Sequence, residues 1–191
     1  MPFAIKTLLP DHLADYAMIP MTIEVRTVLD LQPINNGLGG LAFHEIPVTP
    51  YVKDYDIEGG PLCWPQNFDI QNWGLFLGCE NDLPVGGAAV AFNTANIDIL
   101  EGRSDLAVLW DLRVHPKVRG LGIGTQMFQH AAHWAREHQC AQLKIETQNV
   151  NPRACQFYAK QGCQLAHINR YAYCNIPEVA HEIMLIWYLD L

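Results

Sequence analysis

Three glycines at alternate positions, Gly120, Gly122 and Gly124, fall between two incompatible hydrophobic periods. Before them, Ala107–Val114 reads as a strand. It places Val108, Trp110, Leu112 and Val114 on one side and Leu109, Asp111 and Arg113 on the other. After them, residues 122–138 read as a helix, with Ile123, Met127, Ala131 and Ala135 at the spacing of one buried face. A strand that turns through glycines into a helix commits this part of the chain to an α/β arrangement. It also makes a place for an anion. Glycines let a ligand approach the backbone closely, free N–H groups point outward, and the helix start carries partial positive charge. Arg119 is placed to add a full charge.

The remaining pattern supports that reading. Phe3–Leu9 reads as a short strand, and Pro10-Asp11 opens a helix through Ala14 and Ala17. Thr22–Leu31 is β-branched and reads as a strand or extended arm. Residues 50–72 carry Pro, Gly and Asp and read as a long loop with short helical pieces. Trp73–Cys79 and Val85–Phe92 form a hairpin, the second strand small and apolar. Leu143–Thr147 is a strand. Asn151-Pro152 then caps a helix that stops at Gly162. Gln164–Tyr171 and His181–Leu189 close a mixed α/β sheet.

With 191 residues, half of them hydrophobic and only 17% charged, the chain is expected to bury one core as a single domain over 1–191. A substrate-side region of about 1–72 would precede a core of about 73–191. The net charge of −8 disfavours nucleic acid and suits a cationic substrate. No basic leader followed by an apolar run opens the sequence, and no segment reaches the length of a membrane span. Six scattered cysteines without a C-x-x-C pair read as reduced thiols, so the expected setting is cytoplasmic, with no membrane partner and no metal. The oligomeric state stays open, a homodimer included.

Three phosphate sites compete for the glycine turn. A P-loop needs a lysine before Thr125, where Gly124 stands. A dinucleotide fingerprint needs G-x-G-x-x-G, and the spacing here is G-x-G-x-G. Arg-x-x-Gly-x-Gly, met by Arg119, Gly122 and Gly124, resembles the pyrophosphate-binding segment of the GNAT N-acetyltransferase superfamily. Asn151 followed by Ala154, Phe157, Tyr158 and Gly162 resembles the same superfamily's next motif. A closer resemblance, to streptothricin acetyltransferases, lies in Pro50–Tyr55, Glu146-Thr147-Gln148, Ala154-Cys155, Phe157–Lys160, Tyr173 with Asn175, and Glu182 followed by Trp187-Tyr188.

The resemblance implies a mostly antiparallel sheet with central splayed parallel strands flanked by helices. It also implies acetyl-CoA as co-substrate and direct transfer of acetyl to a primary amine of a small acceptor. Backbone at Leu112 and Val114 would align the pantetheine. The segment Arg119, Gly120, Leu121, Gly122, Ile123, Gly124 and Thr125 would hold the diphosphate, and Asn151, Ala154 and Phe157 would line the arm. From the residues alone, Phe157 reads as core packing. Tyr158 would protonate the departing thiolate. The acceptor must lose a proton before it attacks; Asp111 is the first candidate base and Glu146 the second. A protein amine as acceptor, or a non-catalytic acyl-CoA binder, stays open. His130, His133 and Glu137 share a helix face without the H-E-x-x-H pattern and read as solvated or packed side chains.

Overall fold

The computed structural model describes residues 3–57 and 59–191, and the chain divides into two compact units. One holds Met1–Thr22, Asp54–Ile145 and Leu189–Leu191; the other holds Ile23–Lys53 and Glu146–Tyr188. The strands of the main sheet follow the hydrogen-bonded order β1-β4-β5-β6-β7-β9-β8, and β2 pairs with β3 separately.

In the first unit, β1 (Ala4–Thr7), β4 (Gly74–Glu80), β5 (Leu83–Phe92) and β6 (Leu106–Val114) pair antiparallel in turn. The glycines of β5 explain what covers this sheet. Successive strand residues point to opposite faces. A Cβ at Gly86 would lie 2.8 Å from Ile123, and one at Gly87 would lie 2.7 Å from the Tyr16 ring. One face therefore receives α3 (Ile123–Glu137), the other α1 (Leu13–Ala17), and neither tolerates a larger residue on β5. The helix α3 buries Ile123, Met127, Phe128, Ala131, Ala132 and Ala135, the stripe its spacing predicts. On the Tyr16 face, Leu13, Ile19, Trp64 of α2 (Trp64–Asn67), Trp73, Leu75 and Val108 form one apolar cluster.

β6 also begins the parallel part of the sheet. It pairs with β7 (Gln142–Gln148) from Leu106↔Gln142 to Leu109↔Ile145. That ladder ends while both strands continue. At the same point the antiparallel register with β5 shifts: Ala89 faces Asp111, Val90 faces Leu109, and Trp110 has no opposite number. This β-bulge bends the strand and adds twist. It also corrects the alternation read from the sequence. Trp110 packs against Trp73 and Phe68 while Asp111 bonds Tyr16, so the two lie on one face and not on opposite ones.

In the second unit, β2 (Thr22–Pro33) and β3 (Leu41–Asp54) form a long hairpin. Its tip turns through Asn35 and Asn36, both at positive φ. β3 thus replaces the first part of the loop expected over 50–72. Residue 58 of that loop lies outside the described residues. The helix α4 (Pro152–Lys160) starts as its cap signal predicts, and β8 (Gln164–Asn169) pairs antiparallel with β9 (Met184–Asp190). Thr147 ties this unit's interior. Its Oγ1 accepts from Trp187 Nε1 at 2.8 Å and lies 3.5 Å from Cys155 Sγ.

Candidate active site

The glycine turn lies in the first unit, just after β6. Gly120 and Gly122 sit at φ +83° and +85°, a region that L side chains rarely enter. In front of both, a Cβ would meet nothing within 4 Å among the described residues. Gly122 is the N-cap of α3, and no side chain caps that helix start. Gln126 N–H is the donor that closes the first turn, onto Gly122 O. The amides of Ile123, Gly124 and Thr125 therefore face the open side at the positive end of a four-turn helix. A diphosphate fits these residues. Arg119 does more than carry charge. Its guanidinium donates from Nε to Val114 O at 3.0 Å and from Nη2 to Thr22 O at 2.8 Å, fastening the turn to the end of β6. Leu121 is exposed at the crown of the turn. Leu112 and Val114 lie on the bulged end of β6, opposite Ala88 and Gly86.

Asp111 stands in a network that short-range sequence patterns do not reveal. Arg113, 2% exposed, donates from Nε and Nη2 to the two Asp111 oxygens at 2.9 and 2.7 Å. It donates to both Asp56 oxygens at 3.0 Å and to Ile19 O at 2.8 Å. All five guanidinium N–H groups are thus used. Tyr16 Oη donates to Asp111 Oδ1 at 2.7 Å. Burial alone would lower the Arg113 guanidinium; its bonds to Asp111 and Asp56 outweigh that and hold it above its ordinary value. Burial, then the charge of Asp111, pushes the Tyr16 phenol well above its ordinary value.

Glu146, in the second unit, is held differently. Its Oε1 accepts from Tyr173 Oη at 2.6 Å and from Gln148 Nε2 at 3.4 Å. Gln148 Nε2 also donates to Tyr173 Oη at 3.0 Å. Oε2 makes no hydrogen bond among the described residues. Burial, then Glu146, raises the Tyr173 phenol, and Glu182 adds to the shift. Glu182 is itself buried and paired with Lys53. Tyr173, Glu182 and Lys53 all belong to the segments that carry the streptothricin acetyltransferase resemblance.

Asn151 caps α4, its Oδ1 accepting from Ala154 N–H at 3.1 Å, which leaves its amide nitrogen to donate outward. Tyr158 is 8% exposed and meets Phe157 edge-on at 5.2 Å. Cys155, at the start of the same helix, is raised by burial, which fits a packing thiol. His130 packs edge-on against Phe76 and His133 pairs with Glu137; no metal-holding cluster exists among the described residues.

Known proteins share both the pattern and the fold. Residues 41–163 match the Acetyltransferase (GNAT) family. Streptothricin acetyltransferase of Escherichia coli is 26% identical over 182 residues, covering 95% of the chain and 93% of that relative. Streptothricin acetyltransferase A of Bacillus subtilis (strain 168) is 35% identical over 92 residues, 48% of the chain. The chain spans about half the length of that relative, 53%. A solved structure from Bacillus anthracis str. Ames, provisionally assigned as a streptothricin acetyltransferase and holding acetyl coenzyme A, superposes with a TM-score of 0.78 at 22% identity. It covers 100% of the chain and 98% of its own.

Proposed function

Because the chain belongs to the GNAT family of acetyl-CoA-dependent N-acetyltransferases, we propose that it acetylates a primary amine of a small cationic acceptor, with a streptothricin-like antibiotic as the first to test. The observation that carries the reading is the turn at 119–125. Two left-handed glycines, open space before them and a helix start without a side-chain cap supply what a diphosphate needs.

On this reading the amides of residues 120–125 and Arg119 hold the diphosphate. The backbone at Leu112 and Val114 aligns the arm. Asn151 donates to it, and Ala154 and Phe157 line it. Acetyl-CoA, when bound, supplies an acetyl group already activated as a thioester. The chain's own residues then handle protons and charge. A lysine-like amine has a pKa near ~10.4 and arrives protonated. Glu146 is the better base of the two candidates, because Oε2 remains able to take a proton while Tyr173 and Gln148 fix Oε1. Asp111 already engages both oxygens with Arg113 and Tyr16, so its part is to hold β6 beside the bulge. Tyr158 gives its proton to the thiolate that leaves. General acid catalysis of this kind is typically worth ~10²–10⁴-fold.

Turnover of acetyl-CoA with a panel of streptothricin, polyamines and lysine-terminated peptides tests the reading. Acetylation of streptothricin or a polyamine is expected. Transfer only to peptides would move the acceptor to protein amines, and binding of acetyl-CoA without transfer to any amine would overturn the enzyme reading. Tyr158→Phe is expected to lower kcat while acetyl-CoA affinity holds.

A further inference from the structure

We propose that Trp110 is an acceptor-specificity residue, whose indole stacks a second cationic group of the substrate beside the amine that is acetylated. This rests on the acceptor reading above and adds to it that the acceptor is at least a diamine.

The placement of Trp110 is the first ground. It is the unpaired residue of the β-bulge, between Leu109, the last partner of β7, and Asp111. By alternation from Val108 it faces the Tyr16 side. The bulge brings Asp111 onto that same side, next to it. Bulges recur where a strand must re-aim a side chain near a site.

The exposure of the ring is the second ground. Trp110 is only partly buried. Phe68 meets it edge-on at 5.0 Å and Trp73 tilts against it at 5.2 Å, so one side of the indole is fixed. Its Nε1–H has no hydrogen-bond partner among the described residues and is not buried. Trp73 and Trp187, by contrast, donate to Thr94 and Thr147. A partly exposed indole held by two aromatic neighbours, with its donor unused, can contact a ligand in a way a fully buried, bonded indole cannot.

Charge decides the occupant. Two carboxylates, Asp56 and Asp111, share the single guanidinium of Arg113, so the network keeps one net negative charge. Asp56 is partly open to solvent. The same face already holds one cation over a ring, Arg113 over Tyr16 at 5.1 Å from the centroid. An indole beside residual negative charge favours a cation over an apolar group. The attacking amine must be neutral, so the stacked cation is a different group of the acceptor.

Cadaverine and pentylamine differ only by a second ammonium and serve as probes. Wild-type enzyme is expected to favour cadaverine in kcat/KM. Trp110→Leu should reduce that preference about tenfold, and Trp110→Phe, which keeps a ring, should hold it within about threefold. Melting temperature and acetyl-CoA affinity of each variant confirm an intact fold. An unchanged ratio in Trp110→Leu overturns the proposal. So does an equal fall with both amines, which would mean an apolar contact. If wild type acetylates neither amine, the acceptor reading fails on its own. Calorimetric titration of cadaverine then decides the stack: binding weakened about tenfold in Trp110→Leu upholds it, and equal or absent binding removes it.

Discussion

Each unit of this molecule holds a phenol that donates to a carboxylate, and the two carboxylates are held in different ways. Tyr16 bonds Asp111 at 2.7 Å and Tyr173 bonds Glu146 at 2.6 Å. The difference is the third member. Asp111 faces a buried guanidinium that grips both of its oxygens, whereas Glu146 has only the neutral Gln148 amide on the oxygen Tyr173 already holds. A full opposite charge at hydrogen-bond distance fixes a carboxylate as part of the frame. A neutral donor on one oxygen orients a carboxylate and leaves the other oxygen able to accept a proton. Neighbours, more than residue type, separate a structural acid from a catalytic one.

The largest expected effect removes the third member from the first pair. Arg113→Met would leave Asp56 and Asp111 without their common partner, with Asp111 almost wholly buried. Loss of one side of a buried ion pair costs ~3–5 kcal/mol. Urea unfolding should show that loss. A variant within 1 kcal/mol of wild type would mean that solvent reaches these carboxylates and that Asp111 is as open as Glu146.

Activity sharpens the contrast from the other side. Glu146→Gln should lower kcat by ~10²-fold or more at neutral pH with little change in melting temperature. Asp111→Asn should lose stability, while the folded fraction turns over within about tenfold of wild type. The reverse ranking would return the base role to Asp111. The deficit of Glu146→Gln should also shrink as pH approaches ~10, where a growing share of the acceptor amine is already neutral and needs no base. A deficit constant between pH 7 and 10 would mean that Glu146 binds the acceptor and takes no proton from it.

The two pairs also differ in how far sequence reasoning could see them. The glycine turn, α3 and the Asn151 cap are local: each is written within a dozen residues, and Gly122, Ile123 and Asn151 stand where the pattern puts them. The network around Arg113 joins Tyr16, Asp56 and Asp111 across separations of up to 95 residues, and no periodicity announces it. Asp111, read on the face opposite Trp110, lies on the same face for a related reason. The bulge arises in the pairing of β6 with β5, not in the alternation of β6 itself. β3 read as loop over 50–54 because prolines punctuate it, at Pro47 and Pro50. A strand in a two-stranded hairpin tolerates them where a central strand would not. Tyr173 and Glu182 were visible only as part of a resemblance; the chemistry of Tyr173 became legible once Glu146 lay beside it, and that of Glu182 once Lys53 did.

The smallest effect compares the phenols directly. Both are raised above the ordinary tyrosine value, burial being the first cause and the bonded carboxylate the next. A phenol raised in the folded state binds its proton more tightly there than in the unfolded chain. Its contribution is therefore complete below pH ~10, the unfolded value, and is lost as pH climbs from there toward the folded value. Each group steepens the alkaline fall of stability by up to ~1.4 kcal/mol per pH unit. Tyr16→Phe and Tyr173→Phe should each cost ~1 kcal/mol at pH 8 and flatten the fall between pH 10 and 11.5, followed by urea midpoints. Only their kinetics should part. Tyr16→Phe leaves Asp111 in the grip of Arg113 and should keep kcat within a few-fold. Tyr173→Phe frees Glu146 to rotate and should lower kcat several-fold without changing acetyl-CoA affinity. Equal kinetic effects would mean that the guanidinium does not distinguish the two carboxylates, and the contrast between a framing and a reacting acid would have to be abandoned.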